Sequence, residues 1–102
     1  MILLEFSMYP TDQGASVSDY VKRSLEIIDE SGLPYRLGPM GTCIEGEWDE
    51  VMAVVRRCHE RMSEDCERIA CQIKIDSRAG GGGRLDSKVE TLRRKTGRDL
   101  RT

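Results

Sequence analysis

The segment Tyr35–Glu47 constrains the fold more than any other part of this 102-residue chain. It contains two short strand patterns, YRLGPMG at 35–41 and TCIEGE at 42–47, and one follows directly on the other. Two neighbouring parallel strands need a crossover of about a dozen or more residues, for which there is no room here. The two strands are therefore predicted to form an antiparallel hairpin, with an irregular stretch at Gly38 and Pro39.

Strand and helix patterns flank this hairpin on both sides. The predicted elements are a strand at 2–8, a helix around 17–28, a helix at 48–63, a strand at 68–76 and a helix near 85–96. The order β-α-β-β-α-β with a further helix is typical of the ferredoxin-like pattern. The sequence thus predicts an α+β fold with a four-stranded antiparallel sheet, two helices on one face and an extra C-terminal helix.

The two faces of the predicted sheet differ in chemistry. In the first strand Ile2, Leu4, Phe6 and Met8 share one face, which the two helices are expected to cover. The opposite face collects Leu3, Glu5, Ser7, Gln72 and Lys74, and is half apolar and half polar. A lone monomer would leave that face in water, so it is predicted to be a sheet-to-sheet interface, the floor of a ligand site, or both. A single domain is expected over 1–97, followed by a loose tail at 98–102.

Composition argues against two classes of partner. The formal charge is −2, and charged residues of both signs make up 33% of the chain, which gives no reason to expect nucleic acid or an anionic membrane. One tryptophan and one phenylalanine do not provide a platform for stacking bases. The first residues lack the basic lead and the long apolar run of a signal peptide, so a cytoplasmic location is predicted.

The four cysteines do not have the spacing of a metal site. They are Cys43, Cys58, Cys66 and Cys71, and no pair of them forms a CxxC motif. We therefore predict no metal and expect reduced, buried thiols. A redox switch through Cys58, Cys66 and Cys71 is an alternative that requires a thiol of lowered pKa. Of these, Cys66, in a loop of mixed charge, is the one expected to be exposed.

Three segments resemble the family of small thiamine-binding proteins. They are SVSDYV at the first helix, SGLPYRLGPMGTCIEGEWDEVMAVVRRCHE across the hairpin and second helix, and IKIDSRAG at the end of the last strand. The resemblance implies a ferredoxin-like subunit that packs sheet against sheet into a dimer, and pairs of dimers that form a tetramer. It also implies binding of thiamine, or of its hydroxymethylpyrimidine moiety, at a subunit interface of this homo-oligomer, without catalysis.

Thiamine chemistry suggests which side chains would contact such a ligand. The thiazolium ring carries a permanent positive charge, and the aminopyrimidine presents an amino donor and ring-nitrogen acceptors, so a site needs a carboxylate, neutral polar groups and an apolar wall. The predicted ligand-binding residues are Ser7, Thr42, Glu45, Gln72, Lys74 and Trp48. The resemblance favours Glu45 and Thr42 in particular, and Glu45→Gln is expected to weaken the binding of a cationic ligand far more than it lowers stability.

Each of these residues also has a structural interpretation. Glu45 lies three residues before a helix and could respond to its dipole. Gln72 and Lys74 could form contacts between subunits, and Trp48 could serve packing. Thr42 could pair across the hairpin, and Ser7 could be an ordinary strand serine. The sequence predicts no cofactor. The expected partners are the small-molecule ligand and further copies of the same chain.

An enzyme is not predicted, because no nucleophile, base and acid present themselves together. The run of four glycines at 80–83 lacks the lysine and serine that end a phosphate-binding P-loop. It does precede a helix, whose N-terminus could hold an anion between Arg78 and Arg84. The alternative function is therefore a structural or regulatory oligomer that responds to another small molecule or to an anion.

Overall fold

Four antiparallel strands form one sheet in the order β2-β3-β1-β4 in the computed structural model, which describes residues 1–102. The elements along the chain are β1 (Ile2–Pro10), α1 (Ser18–Glu30), β2 (Tyr35–Leu37), β3 (Thr42–Gly46), α2 (Trp48–Ser63), β4 (Ile69–Ser77) and α3 (Arg84–Thr96). The predicted α+β ferredoxin-like fold is confirmed, and the predicted bounds of α2 agree with the structure.

The β2–β3 hairpin forms as predicted, although β2 is shorter than its sequence pattern indicated. Tyr35 pairs with Ile44 and Leu37 pairs with Thr42, so the two strands are antiparallel. Beyond Leu37 the chain leaves the sheet, and the backbone N–H of Gly38 donates to the carbonyl of Gly41 at 2.8 Å. Pro39 has no N–H to give to a sheet, so it lies in this tight loop and not in the strand.

The core lies between the sheet and the pair α1 and α2. The alternating residues of β1 predicted to face the helices are all buried: Ile2, Leu4, Phe6 and Met8. The second helix contributes Val51, Val54, Val55, Cys58 and Met62 to the same cluster. This face of the sheet is therefore closed by helices over β1 and β3.

The outer strand β4 is less well covered than its pattern indicated. Ile73 pairs with Phe6 and Cys71 pairs with Met8, so both share the helix-facing side of the sheet. Both are nevertheless exposed, because α1 and α2 pack against β1 and β3 and not over this edge. Cys71 is consequently the most accessible thiol of the protein.

The third helix lies on the face opposite to α1 and α2. Arg36 pairs with Asp86, and Asp76 pairs with Lys88; each pair joins a residue on the open face of the sheet to α3. The helix covers the end of the open face near Leu3 and leaves uncovered the end that carries Ser7. The open face is therefore only partly available to a partner.

After α3 the chain forms neither helix nor strand. The guanidinium of Arg93 donates to the carbonyl of Leu100 at 3.1 Å and to the hydroxyl of Thr102 at 2.8 Å. Residues 98–102 thus fold back toward α3. Among the helices, none has both the length and the apolar character needed to cross a membrane.

Candidate functional site

A groove opens between β1, α1 and the loop at 38–41. Its volume is about 310 Å³. It exists because β3 begins at Thr42, opposite Phe6, whereas β1 continues to Pro10. The backbone of β1 beyond Phe6 pairs only with β4, and the space where β3 would have continued is left open.

The loop that borders the groove is held tightly against β1. A side chain at Gly41 would place its Cβ 3.1 Å from the carbonyl oxygen of Phe6, which is tighter than an ordinary van der Waals contact. Glycine at 41 has no Cβ and avoids this contact. It allows close approach to the neighbouring strand, and this approach sets the width of the groove.

The walls of the groove are apolar and carry no formal charge. They include Met8, Val17, Val21, Leu25, Ile28, Leu37, Pro39 and Met40. Among the lining residues there is no aspartate, glutamate, lysine, arginine or histidine. An interior of this kind suits a flat, neutral ring better than an ion, because an unpaired charge is costly to remove from water.

Besides the Tyr9 phenol, four polar side chains line this apolar groove: Ser7, Ser24, Thr42 and Gln72. Ser24 and Thr42 are each only 6% exposed. The hydroxyl of Ser24 is buried and has no hydrogen-bond partner in the protein. Leaving a buried hydroxyl unpaired costs about 1 to 3 kcal/mol, so a ligand that hydrogen-bonds to it would remove that cost.

A smaller cavity of about 200 Å³ adjoins the groove. The two share Phe6, Ser7, Met40 and Gln72, and the smaller one adds Glu5, Ile73 and Lys74. Glu5 and Lys74 are directly opposite each other on β1 and β4. The smaller cavity therefore holds both charged side chains of the combined site.

The thiol of Cys43 lies beside Glu5 on the open face. It donates a weak hydrogen bond to Glu5 Oε2 at 3.5 Å. Burial raises the pKa of Cys43, and the neighbouring carboxylate raises it further. The thiol therefore stays protonated at neutral pH and acts as a donor to Glu5.

The redox-switch hypothesis is wrong on both of its requirements. Cys66 is buried and not exposed, because it packs into the core after α2. Burial also raises the pKa of Cys58, Cys66 and Cys71, as it does that of Cys43. No thiol is thus activated in the way that a redox sensor requires.

Glu45 makes contacts within the protein and does not line either cavity. It is 3% exposed. Its Oε1 accepts a hydrogen bond from the backbone N–H of Gly83 at 2.7 Å, and its Oε2 accepts one from that of Arg84 at 2.8 Å. The carboxylate therefore satisfies the first free donors of α3, the arrangement that favours an anion at a helix N-terminus.

This contact occupies the helix N-terminus that the sequence offered, as an alternative, for an anion after the glycine run. The N-terminus of α3 is occupied by the carboxylate of Glu45, so no separate anion is needed there. A side chain at Gly82 would place its Cβ 2.7 Å from Met1 Sδ and 3.2 Å from Glu45 Oε1. The run is thus more than a flexible loop, because Gly82 allows the close approach that brings α3 to Glu45.

Trp48 also lies away from the groove. It is the first residue of α2, its side chain is 51% exposed, and it lines neither cavity. The acids around it serve the helix start: the backbone N–H of Glu47 donates to Glu50 Oε1 at 3.2 Å. The cluster of carboxylates at this junction is therefore accounted for by capping of α2.

The structure brings together four of the six predicted site residues. Ser7, Thr42 and Gln72 line the groove, and Lys74 lies in the adjoining cavity with Ser7 and Gln72. The sequence reasoning missed Ser24. The available signal was a serine beside Leu25 within the apolar stripe of an amphipathic helix, where a hydroxyl has few partners.

Comparison with known proteins places this fold and groove in a family. The family model described as "Thiamine-binding protein" matches residues 4–93, which include all of the groove. The chain belongs to the thiamine-binding protein family. The match extends from β1 into α3, so it includes all of α1, β2, β3, α2 and β4 and most of β1 and α3.

Relatives of this family member occur in both archaea and bacteria. A UPF0045 protein of Methanocaldococcus jannaschii is 31% identical over 91 residues, covering 89% of this chain and 91% of that protein. A UPF0045 protein of Mycobacterium tuberculosis is 37% identical over 94 residues, covering 91% and 92%. The name of neither relative states a ligand.

Solved structures share the fold over nearly their full length. A crystal structure of the M. jannaschii protein superposes with a TM-score of 0.82 and covers 89% of this chain and 94% of its own. A Thermotoga maritima protein, described as a candidate thiamine biosynthesis/salvage protein, gives a TM-score of 0.78 at 27% identity, covering 90% and 98%. The description of the latter protein refers to thiamine.

Proposed function

We propose that this member of the family binds thiamine, or a related aminopyrimidine such as hydroxymethylpyrimidine, in the groove between β1, α1 and the loop at 38–41. The observation that carries the proposal is the unpartnered hydroxyl of Ser24 among the apolar, uncharged walls of that groove. An aminopyrimidine is flat and neutral, and its edge offers both a donor and acceptors. Family membership and the Thermotoga maritima relative support the same ligand class.

The polar side chains of the groove fit the edge of the pyrimidine. The hydroxyls of Ser24 and Thr42 can donate or accept, and the amide of Gln72 can do both at once. The side chains of Met8 and Leu25 supply apolar contact for the faces of the ring. A few polar groups set in an apolar wall are typical of small-molecule sites, in which the polar groups fix the orientation.

The thiazolium ring would lie in the adjoining cavity. Glu5 is the only carboxylate that lines either cavity, and it supplies the negative charge that the cationic ring requires. Glu5 therefore takes the role that the sequence reasoning gave to Glu45.

The lining of the groove favours binding over catalysis. Apart from the Tyr9 phenol, no side chain of the groove is ionisable, so beside the pyrimidine there is no carboxylate, imidazole or amine to act as general acid or base. The two charged groups of the combined site, Glu5 and Lys74, lie in the adjoining cavity. The one histidine, His59, is exposed on α2 and lines neither cavity. We propose storage, buffering or delivery of the ligand and no reaction upon it.

We further propose that the protein is a homo-oligomer, with a dimer and then a tetramer formed through the open face. Since α3 covers one end of that face, the contact would use the uncovered end, which carries Glu5, Ser7, Tyr9, Gln72 and Lys74. Tyr9 is 39% exposed there. A partner on this surface would lie beside the ligand, so binding and assembly would be coupled by mass action.

Titration calorimetry with thiamine and with hydroxymethylpyrimidine, together with sizing in both states, tests the proposal. Ser24→Ala is expected to weaken binding of either compound about tenfold, since one buried hydrogen bond is lost. Ser87→Ala is the matched control, because Ser87 is an exposed serine on α3. Trp48→Phe is expected to bind like the wild type.

Two results would contradict the proposal. Absence of heat with both compounds in a folded protein would exclude this ligand class. Equal affinity of the Ser24→Ala and Ser87→Ala variants would show that Ser24 does not contact the ligand and that the ligand binds outside the groove.

A further inference from the structure

Charge is divided sharply between the two adjoining cavities. The groove is lined by no charged side chain, whereas the smaller cavity has one carboxylate, Glu5, and one ammonium group, Lys74. The two cavities meet at Ser7 and Gln72. A single ligand that occupies both would therefore have a neutral part in the groove and a charged part in the smaller cavity.

The two charges of the smaller cavity are not bonded to each other. Glu5 and Lys74 are paired in register across β1 and β4, where directly opposed Cβ atoms lie about 4.5 to 5.5 Å apart. The eight ion pairs of the protein nevertheless involve other residues, and Lys74 donates no hydrogen bond. The carboxylate of Glu5 instead accepts from the thiol of Cys43. The ammonium group is thus free to bind a ligand.

We infer that the site selects a ligand with a cationic ring and an anionic group at the same end, namely a phosphate ester of thiamine in preference to thiamine itself. This inference rests on the proposed function and specifies its ligand. In thiamine monophosphate the thiazolium ring carries the phosphate on its hydroxyethyl arm, and the neutral aminopyrimidine lies at the other end. With the pyrimidine in the groove, Glu5 contacts the thiazolium and Lys74 contacts the phosphate.

The alternative role for Lys74 is only to offset the charge of Glu5. In that case the positive charge of the lysine would weaken the binding of a cationic ligand and would not strengthen the binding of a phosphate group. The two roles predict opposite effects of removing the charge: thiamine would bind more tightly to Lys74→Gln, and the phosphate ester would gain no advantage in the wild type.

Calorimetric titration with thiamine and with thiamine monophosphate separates these roles. The wild type is expected to bind the monophosphate about fivefold more tightly, which is the upper end for an exposed ion pair. Lys74→Gln is expected to lose this preference, and Lys95→Gln, an exposed lysine on α3 that lines neither cavity, is expected to keep it. The preference should also shrink as salt is added, because counterions screen exposed charges.

The outcomes distinguish the inference from the function on which it rests. Binding of thiamine with no preference for the monophosphate would overturn the inference and leave the proposed function standing. A preference that persists in Lys74→Gln would overturn the role of Lys74. Absence of heat with both compounds would overturn the function and the inference together.

Discussion

Replacing Glu45 by glutamine tests whether this buried carboxylate supports the fold or the ligand. Its two oxygens accept from Gly83 N–H and Arg84 N–H at 2.7 and 2.8 Å. A glutamine keeps one acceptor, but its NH₂ group would face the second N–H as donor against donor. A hydrogen bond to a charged group contributes about 1.5 to 3 kcal/mol, so we expect the variant to lose about 2 to 3 kcal/mol.

This loss is large for a chain of 102 residues, since domains of such size are stable by only about 5 to 15 kcal/mol. Urea unfolding followed by circular dichroism would give the global value. Hydrogen exchange of α3 would show whether that helix detaches first. Glu67→Gln, an exposed glutamate of the same size, is the control and is expected to change the unfolding free energy by less than about 0.5 kcal/mol.

Affinity for thiamine should change less than about twofold in Glu45→Gln, because Glu45 lines neither cavity. The sequence alone led to the opposite expectation, that this change would weaken binding far more than stability. A variant with wild-type stability and wild-type exchange in α3, but with lost affinity, would refute the reasoning from the structure and support the earlier expectation.

Three further predictions concern the glycine run, an ion pair and the thiols. Gly82→Ala should lower stability by about 1 kcal/mol in urea unfolding because its methyl group would meet the side chains of Met1 and Glu45. Gly81→Ala, with open space around it, should instead raise stability by about 0.4 to 1 kcal/mol. The ammonium group of Lys88 lowers the pKa of Asp76 below its usual 3.8, so Asp76→Asn should be less stable than the wild type at neutral pH. The difference should begin to shrink near pH 3.8 and disappear once pH has fallen through the lowered pKa of the folded protein; a difference that persisted below it would exclude this cause. Cys71 should be the first thiol labelled in the native protein, and mass spectrometry showing another thiol first would contradict the exposure of β4.

The architecture could be predicted because it rests on patterns that are local in sequence. Apolar residues alternate in β1 and recur at helical spacing in α2, and the connection between β2 and β3 is too short for a crossover. Each of these patterns is compatible with only one local arrangement of the backbone. The position of α3 could not be obtained in this way. It depends on contacts such as that between Glu45 and Arg84, which lie 39 positions apart, and no periodicity reports such a pair.

Part of the candidate site could be predicted because it also depends on patterns that are local in sequence. Ser7 and Gln72 were found because strand alternation puts both on the open face, and the β1–β4 register pairs them directly. Glu45 lies on the same face by alternation, but α3 covers it there. Ser24 was missed because a helical serine usually faces water or bonds to its own backbone, and its lack of a partner is visible only in three dimensions.

The groove owes its existence to unequal strand lengths, since β1 runs four residues past the point where β3 begins. The volume of the groove is therefore governed by the length of the β2–β3 connection. An insertion of two residues that extended β3 along Ser7 and Met8 would keep every side chain on its own face and fill the groove with backbone. Insertions and deletions at positions 38–41, which leave the core residues untouched, are thus the changes by which related chains could acquire or lose a ligand.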